Sequence, residues 1–238
     1  MDALIFDVFG DLGHFRKFYT TSSPLTFSFP PPPTVKGMIG AIAGIDKKEY
    51  LNVLKSGPCK IGIKIMNPVK KIRMGLNLIN TKDNVWIPMK SGKHEARTQV
   101  KTEFLKDPMF RIYFMHEDRN LFYDIVDKIK SHNNVYTLSL GLSEMIADYC
   151  YVNLCKVKEI EDSKVYIESI LPVDFIEDDE IDFENGKKYF KEKIPVDMND
   201  ERIVSSYQDV IYEVNGRSIK SHVKKCWEVN DNEHIIFF

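Results

Sequence analysis

The 238-residue chain has no apolar run approaching the roughly 18 to 20 residues that a membrane-spanning helix needs. Its opening, Met1-Asp2-Ala3-Leu4, lacks the basic stretch of a secretory signal, so a cytoplasmic protein with no membrane partner is expected. Cysteine is scarce. Cys59, Cys150, Cys155 and Cys226 are scattered without a Cys-x-x-Cys pair, which fits neither a zinc site nor a disulfide framework. No Gly-x-x-x-x-Gly-Lys-Ser/Thr loop is present, and the glycines around Gly37 do not spell a dinucleotide fingerprint. The acidic run lacks the ligand spacing and turn glycine of a calcium loop. No cofactor and no metal ion are therefore expected. His116-Glu117-Asp118 offers ligand chemistry, but three adjacent residues point different ways and read better as the cap of the helix that follows. What the chain has in quantity is apolar and aromatic residues, 43% and 12%, enough for one sizeable core or two small ones.

The net charge of −2 conceals an asymmetry. Between Pro68 and Thr102 lie Lys70, Lys71, Arg73, Lys82, Lys90, Lys93, Arg97 and Lys101, opposed only by Asp83 and Glu95. Asp174, Glu177, Asp178, Asp179, Glu180, Asp182 and Glu184 form the opposite stretch, which contains no Lys or Arg. The first suits phosphate, the second water or a basic partner. Taken alone, each run reads first as solvated surface.

Periodicity supplies the architecture. Residues 3–9 read as a strand ending at Gly10. Pro30 to Pro33 keep the chain extended up to Thr34, the expected cap of a helix over 35–45. Gly37, Gly40 and Gly44 fall on one side of that helix, where missing side chains allow close approach to a sheet or an RNA backbone; packing through Gly37, Gly40 and Ala41 is expected. A second helical stretch, 47–55, stops at Ser56-Gly57-Pro58. Strand 60–65 precedes the basic segment, whose extended stretches, 72–79 and onward to Phe104, lead to strand 110–114. An amphipathic helix over 120–131 and a strand over 135–140 complete the unit. From Cys150 the pattern changes to strands at 151–158, 164–170, 209–214 and 226–229. The fold class is α+β. A ferredoxin-like or RRM-type domain spans 1–148, an enlarged hairpin arm over about 68–104 sits between its second and third strands, and a smaller β-rich lobe spans 149–238.

Ile5-Phe6-Asp7-Val8-Phe9-Gly10-Asp11, followed by His14-Phe15-Arg16-Lys17-Phe18, resembles the opening of the Cas-five RAMP family of CRISPR-associated proteins, especially its type I-B branch. The stretch from Ser23 to Ile45 is similar to that family's proline-rich turn and glycine-spaced helix, and Leu138 to Met145 resembles its short glycine-containing segment. The resemblance spans most of 3–145 and thins beyond. It implies a non-catalytic subunit of a type I surveillance (Cascade-like) complex that binds and caps the 5′ handle of the guide RNA. It also implies contacts with the backbone RAMP subunit and the large subunit, and a thumb-like role for the arm over the kinked handle.

The residues fit that role. Arg16, Lys17 and Tyr19 follow the first strand with groups suited to phosphates and an unpaired base, although a core position competes for Tyr19. Lys36 joins them from the glycine-spaced helix, and Lys70, Lys71, Arg73, Lys93 and Arg97 from the arm. Two alternatives stay open. The type I-C branch of the family cleaves repeat RNA with Tyr, Lys and His, and Gly92-Lys93-His94 offers such groups, though ahead of strand 110–114 rather than after it. His14, His94 and a nearby Lys or Tyr have the acid-base chemistry for metal-free cleavage. The other alternative is a protein scaffold whose arm meets an acidic protein.

Overall fold

The computed structural model describes residues 1–20, 22–80, 89, 92, 95–230 and 232–238. Its organising element is β1 (Asp2–Phe9), six of whose eight residues are buried, as befits a strand covered on both faces. β1 pairs antiparallel with β6 (Met109–His116) on one side and β7 (Asp148–Lys156) on the other, and β3 (Cys59–Ile65) lies beyond β6. With α1 (Pro32–Ala43) and α3 (Arg119–Lys130) as crossovers, the order β3-β6-β1-β7 gives the ferredoxin-like plan. Between these elements come β2 (Leu12–Gly13), the short α2 (Tyr50–Val53) and the two arm strands, β4 (Lys71–Ile79) and β5 (Arg97–Lys106).

Helix α3 buries Phe122, Ile125, Val126 and Ile129, the stripe expected from its spacing. Asp118 caps it by accepting from the Asn120 and Leu121 amides at 2.9 and 3.1 Å, so the His-Glu-Asp triplet begins a helix as read. Helix α1 starts earlier than expected. Pro31 is its N-cap residue, Pro32 and Pro33 fill the first turn, and Thr34 lies inside the helix with no capping role. Proline's fixed φ is helical, and its missing N–H falls where a helix has no acceptor for it.

The strand expected over 135–140 does not form. The amides of Val135 and Tyr136 instead donate to the carbonyls of Ile42 and Ala41 at the end of α1, at 3.3 and 3.0 Å. The chain is thereby held against the helix terminus, and β7 takes the place at the sheet edge. The first sheet therefore extends to residue 156, past the boundary expected at 148. The second lobe builds one sheet from β8 (Lys158–Ile167), β10 (Ile176–Asp182), β13 (Ile219–Val229) and β14 (Glu233–Ile235). A smaller sheet contains β9 (Leu171–Pro172), β11 (Tyr189–Met198) and β12 (Val204–Glu213).

Residue alternation gives the first sheet two apolar faces. Leu4, Phe6, Val8, Ile61, Ile63, Phe110, Ile112 and Phe114 pack with the buried residues of α1 and α3. Ala3, Ile5, Tyr113 and Met115 turn the other way and join Ile167, Leu171, Ile219, Trp227 and Ile235 of the second lobe. The face on which an RRM displays bases is thus closed by protein. Polar contacts pin the lobe there, with Glu233 of β14 accepting from Tyr113 at 2.5 Å and Lys64 at 2.9 Å, while Arg111 holds Asp7 across the first sheet itself with two bonds of 2.8 and 2.9 Å. Burial pushes the Tyr113 hydroxyl well above its usual range, and the neighbouring Glu233 carboxylate adds to the rise. The four cysteines form no disulfide with one another.

Candidate nucleic-acid interface

With the sheet closed, the candidate surface is the arm and the segment at its root. The ribbon runs in register from Lys71 opposite Leu105 to Ile79 opposite Arg97. Directly opposed residues share a face and alternate along each strand. Lys71, Arg73, Arg97, Lys101 and Glu103 therefore fall on one face, and Ile72, Met74, Leu76, Val100 and Phe104 on the other. Phe104 is buried, and Ile72, Met74 and Leu76 rest partly on the core, so the polar face turns outward.

At the root, most of the charge is offset. Glu103, nearly buried, lies 3.6 Å from both Lys71 and Arg73, and Lys71 also donates to the Thr26 carbonyl at 3.0 Å. Lys17 is ion-paired with Glu192, which reaches over from β11 in the second lobe. Burial would lower the Lys17 pKa, but the Glu192 carboxylate outweighs it and the value rises. For Lys71 burial prevails, helped by the nearby Lys17 charge, and its pKa falls. Three cations and two carboxylates thus form one cluster.

Arg16 is exposed and donates to the Thr20 carbonyl at 3.1 Å. Tyr19 is no core residue: it is 58% exposed and meets Phe18 edge-on, with centroids 5.2 Å apart. Phe18 in turn packs on Tyr207 of β12 at 4.7 Å, and the Lys193 ammonium lies 5.7 Å from the Tyr207 ring centre. The exposed patch of Phe18, Tyr19 and Tyr207 was not foreseen. The neighbourhood of Tyr19 signalled Phe18, but nothing local in the sequence ties Tyr207 to it. Lys70, Arg97 and Lys101 are exposed, with no carboxylate in ion-pair range among the described residues. Lys101, not among the candidates read from sequence, shares the outward face with Arg97.

One candidate moves to the interior. Lys36 is 3% exposed at its side chain, donates to Ser56 at 2.8 Å and pairs with Asp197 at 3.1 Å, so it braces α1 against the second lobe. An amphipathic pattern with three glycines gave no indication that its lone lysine faces inward. Lys93 and His94 lie outside the described residues. His14 is buried, with its Nδ1 2.6 Å from the Glu103 carbonyl oxygen and its ring against Phe104. It therefore does not reach a strand of RNA lying on the surface.

A ferredoxin-like sheet with a hairpin arm between its second and third strands, backed by a β-rich lobe, is the architecture of a RAMP protein. The family model described as "CRISPR-associated protein (Cas_Cas5)" matches residues 3–215. A CRISPR protein from Archaeoglobus fulgidus, 18% identical, superposes with a TM-score of 0.59 over 98% of each chain. A chain of a CRISPR RNA-guided surveillance complex, 12% identical, gives 0.55 over 93% of this chain and 90% of that one. No curated protein sequence matches. The chain belongs to the Cas5 family of CRISPR-associated proteins, and with that membership goes a part in CRISPR antiviral defence.

Proposed function

We propose that this chain is the subunit of a type I CRISPR surveillance complex that holds the 5′ handle of the guide RNA without cleaving it, next to a backbone RAMP subunit. The observation that carries the reading is the arm, whose outward face bears Arg97 and Lys101 above a root where Arg16 and Tyr19 stand exposed. Cations along a ribbon suit a phosphate chain, and the exposed rings suit unstacked bases. Burial of His14 speaks against an active site formed by that residue.

The test uses the full chain with labelled single-stranded RNA carrying the repeat-derived handle, against a scrambled strand of equal length. Tighter binding of the handle, with the RNA recovered intact after incubation, is expected. Equal affinity for both strands would reduce the protein to a non-specific binder. Discrete products abolished by His94→Ala would make it the processing nuclease. Absence of binding to either strand would favour the scaffold.

A further inference from the structure

The glycine face of α1 does not meet the sheet. A side chain at Gly40 would press on Tyr50, whose Cβ lies 3.1 Å from the position a Cβ would take, and Gly37 has Tyr50 ring atoms at 3.7 Å. Gly44 packs on Val135, and between these contacts Gly37 and Ala41 border open space. Two adjoining hollows of about 390 and 450 Å³ share Gly37, Ala41, Tyr50 and Arg202. Tyr136 lines one and Ser139 the other. Their size is that of small-ligand sites, which run to roughly 300–1,000 Å³.

The lining selects the guest. Helix starts commonly cradle phosphate through free amides. This one has none to offer, because Pro32 and Pro33 lack an N–H and the amides of Thr34 and Val35 both bond to the Pro31 carbonyl, at 2.8 and 3.1 Å. The floor is glycine and alanine, against which a flat ring can lie. Tyr50 supplies an aromatic wall, and the Arg202 guanidinium lies 5.9 Å from its ring centre. Arg202, which lines both hollows, also donates to the Lys47 carbonyl at 3.3 Å. A small floor, an aromatic wall and a planar cation fit a delocalised ring carrying hydrogen-bond groups on its edge.

The cleft is joined to the RNA surface through the chain itself. Gly141, at its border, sits at φ 100°, and a side chain there would fall 1.9 Å from the His14 carbonyl oxygen. The preceding Leu140 carbonyl accepts the His14 amide at 2.9 Å. His14 leads directly into Arg16 and Tyr19.

We infer that this cleft takes one unstacked nucleobase of the guide RNA, seated on Gly37 and Ala41 beside Tyr50 and Arg202. The inference rests on the RNA-binding reading above.

It is tested with full-length protein and a set of handle RNAs, each lacking one base. At one position the abasic RNA should bind about tenfold or more weakly. Gly37→Leu fills the floor and replaces a helix-weakening residue. It should keep the melting temperature, lower affinity for intact RNA by the same factor, and bind that abasic RNA no worse than the intact one. Arg202→Gln, which leaves the helix untouched, should shrink the same abasic penalty. Tight RNA binding with a flat abasic scan would overturn the inference and leave the RNA-binding reading standing. A penalty that survives both substitutions would place the base elsewhere. Unchanged RNA affinity with lost subunit assembly in both variants would assign the cleft to a protein side chain. If the wild type binds none of these RNAs, both readings fall.

Discussion

Removing the unopposed charges of the arm gives the most direct measure of how RNA is held. Lys70, Arg97 and Lys101 are exposed and face no carboxylate among the described residues, so each is open to a phosphate. Each phosphate neutralised on single-stranded RNA adds about 0.7 to the slope of log affinity against log salt, so replacing the three with Ser should flatten it by about 2. Between roughly 50 and 200 mM salt, the advantage of the wild type over the variant should shrink close to twentyfold. The root should respond differently. Lys17, Lys71 and Arg73 are opposed by Glu103 and Glu192 and leave a net charge of +1. Glu103→Gln should therefore tighten binding at low salt and steepen the slope by about 0.7, since one more cation becomes available. Fluorescence anisotropy of labelled handle RNA over a salt series reads both changes. Lys156 and Lys158, exposed at the junction of β7 and β8, provide the control pair. An equal loss per charge at the control pair would mean diffuse attraction. An unchanged slope in the triple variant would take the arm off the RNA surface.

Three further outcomes test the packing. Gly40→Leu should cost about 1–3 kcal/mol, because even its Cβ sits 3.1 Å from that of Tyr50; an unchanged melting temperature would refute that contact. Lys36→Met should cost about 2 kcal/mol, less than the ~3–5 of a fully enclosed pair because Asp197 is a third exposed; RNA affinity below the melting transition should not change, and a loss there would restore Lys36 to the interface. Burial would raise the Glu233 carboxyl, but Lys64 and Tyr113 outweigh it and hold it below 4.5. Its stabilising contribution should be complete above about pH 4.5 and fade as pH falls through the lowered value, so the gap in melting temperature between wild type and Glu233→Gln should narrow in acid. A gap constant from pH 7 to 3 would refute that coupling.

The first sheet was legible because β1, β3, β6 and α3 alternate or repeat as their environments demand. The arm was legible from position and charge. The failures have local causes. Residues 135–140 look like a strand, yet the free carbonyls ending α1 capture their amides first. β10 was hidden by its acidity, since Asp and Glu are poor strand formers. Here Lys164 from β8 and Lys220 from β13 reach Asp182 at 3.2 and 3.3 Å and offset the charge. Glu180, Asp182 and Glu184 of that acidic run are thus partners for cations of their own lobe. In the candidate site, Arg16, Arg73 and Arg97 are exposed. Lys36 was misplaced because its partner, Asp197, is remote in sequence, and Tyr207 was missed for the same reason.

The closing of the sheet accounts for where the proposed binding groups sit. Ala3, Ile5, Tyr113 and Met115 occupy the face on which an open RRM would stack bases, and they are spent on holding the second lobe. The exposed rings lie instead outside that sheet, where Phe18, Tyr19 and Tyr207 are supplied by a loop and by the covering lobe together. In the proposed function, phosphate contacts likewise come from an element that projects. A two-stranded ribbon is marginal alone, and the apolar face of β4 and β5 gains its support by leaning on the core through Ile72, Met74 and Leu76. That support fades outward, where Leu78 and Ile79 are half exposed. The arm is therefore firm where Glu103 holds Lys71 and Arg73, and least supported where Arg97 stands. In the proposed function, such a gradient would let the root fix the register of the RNA while the outer cations follow the course of its backbone.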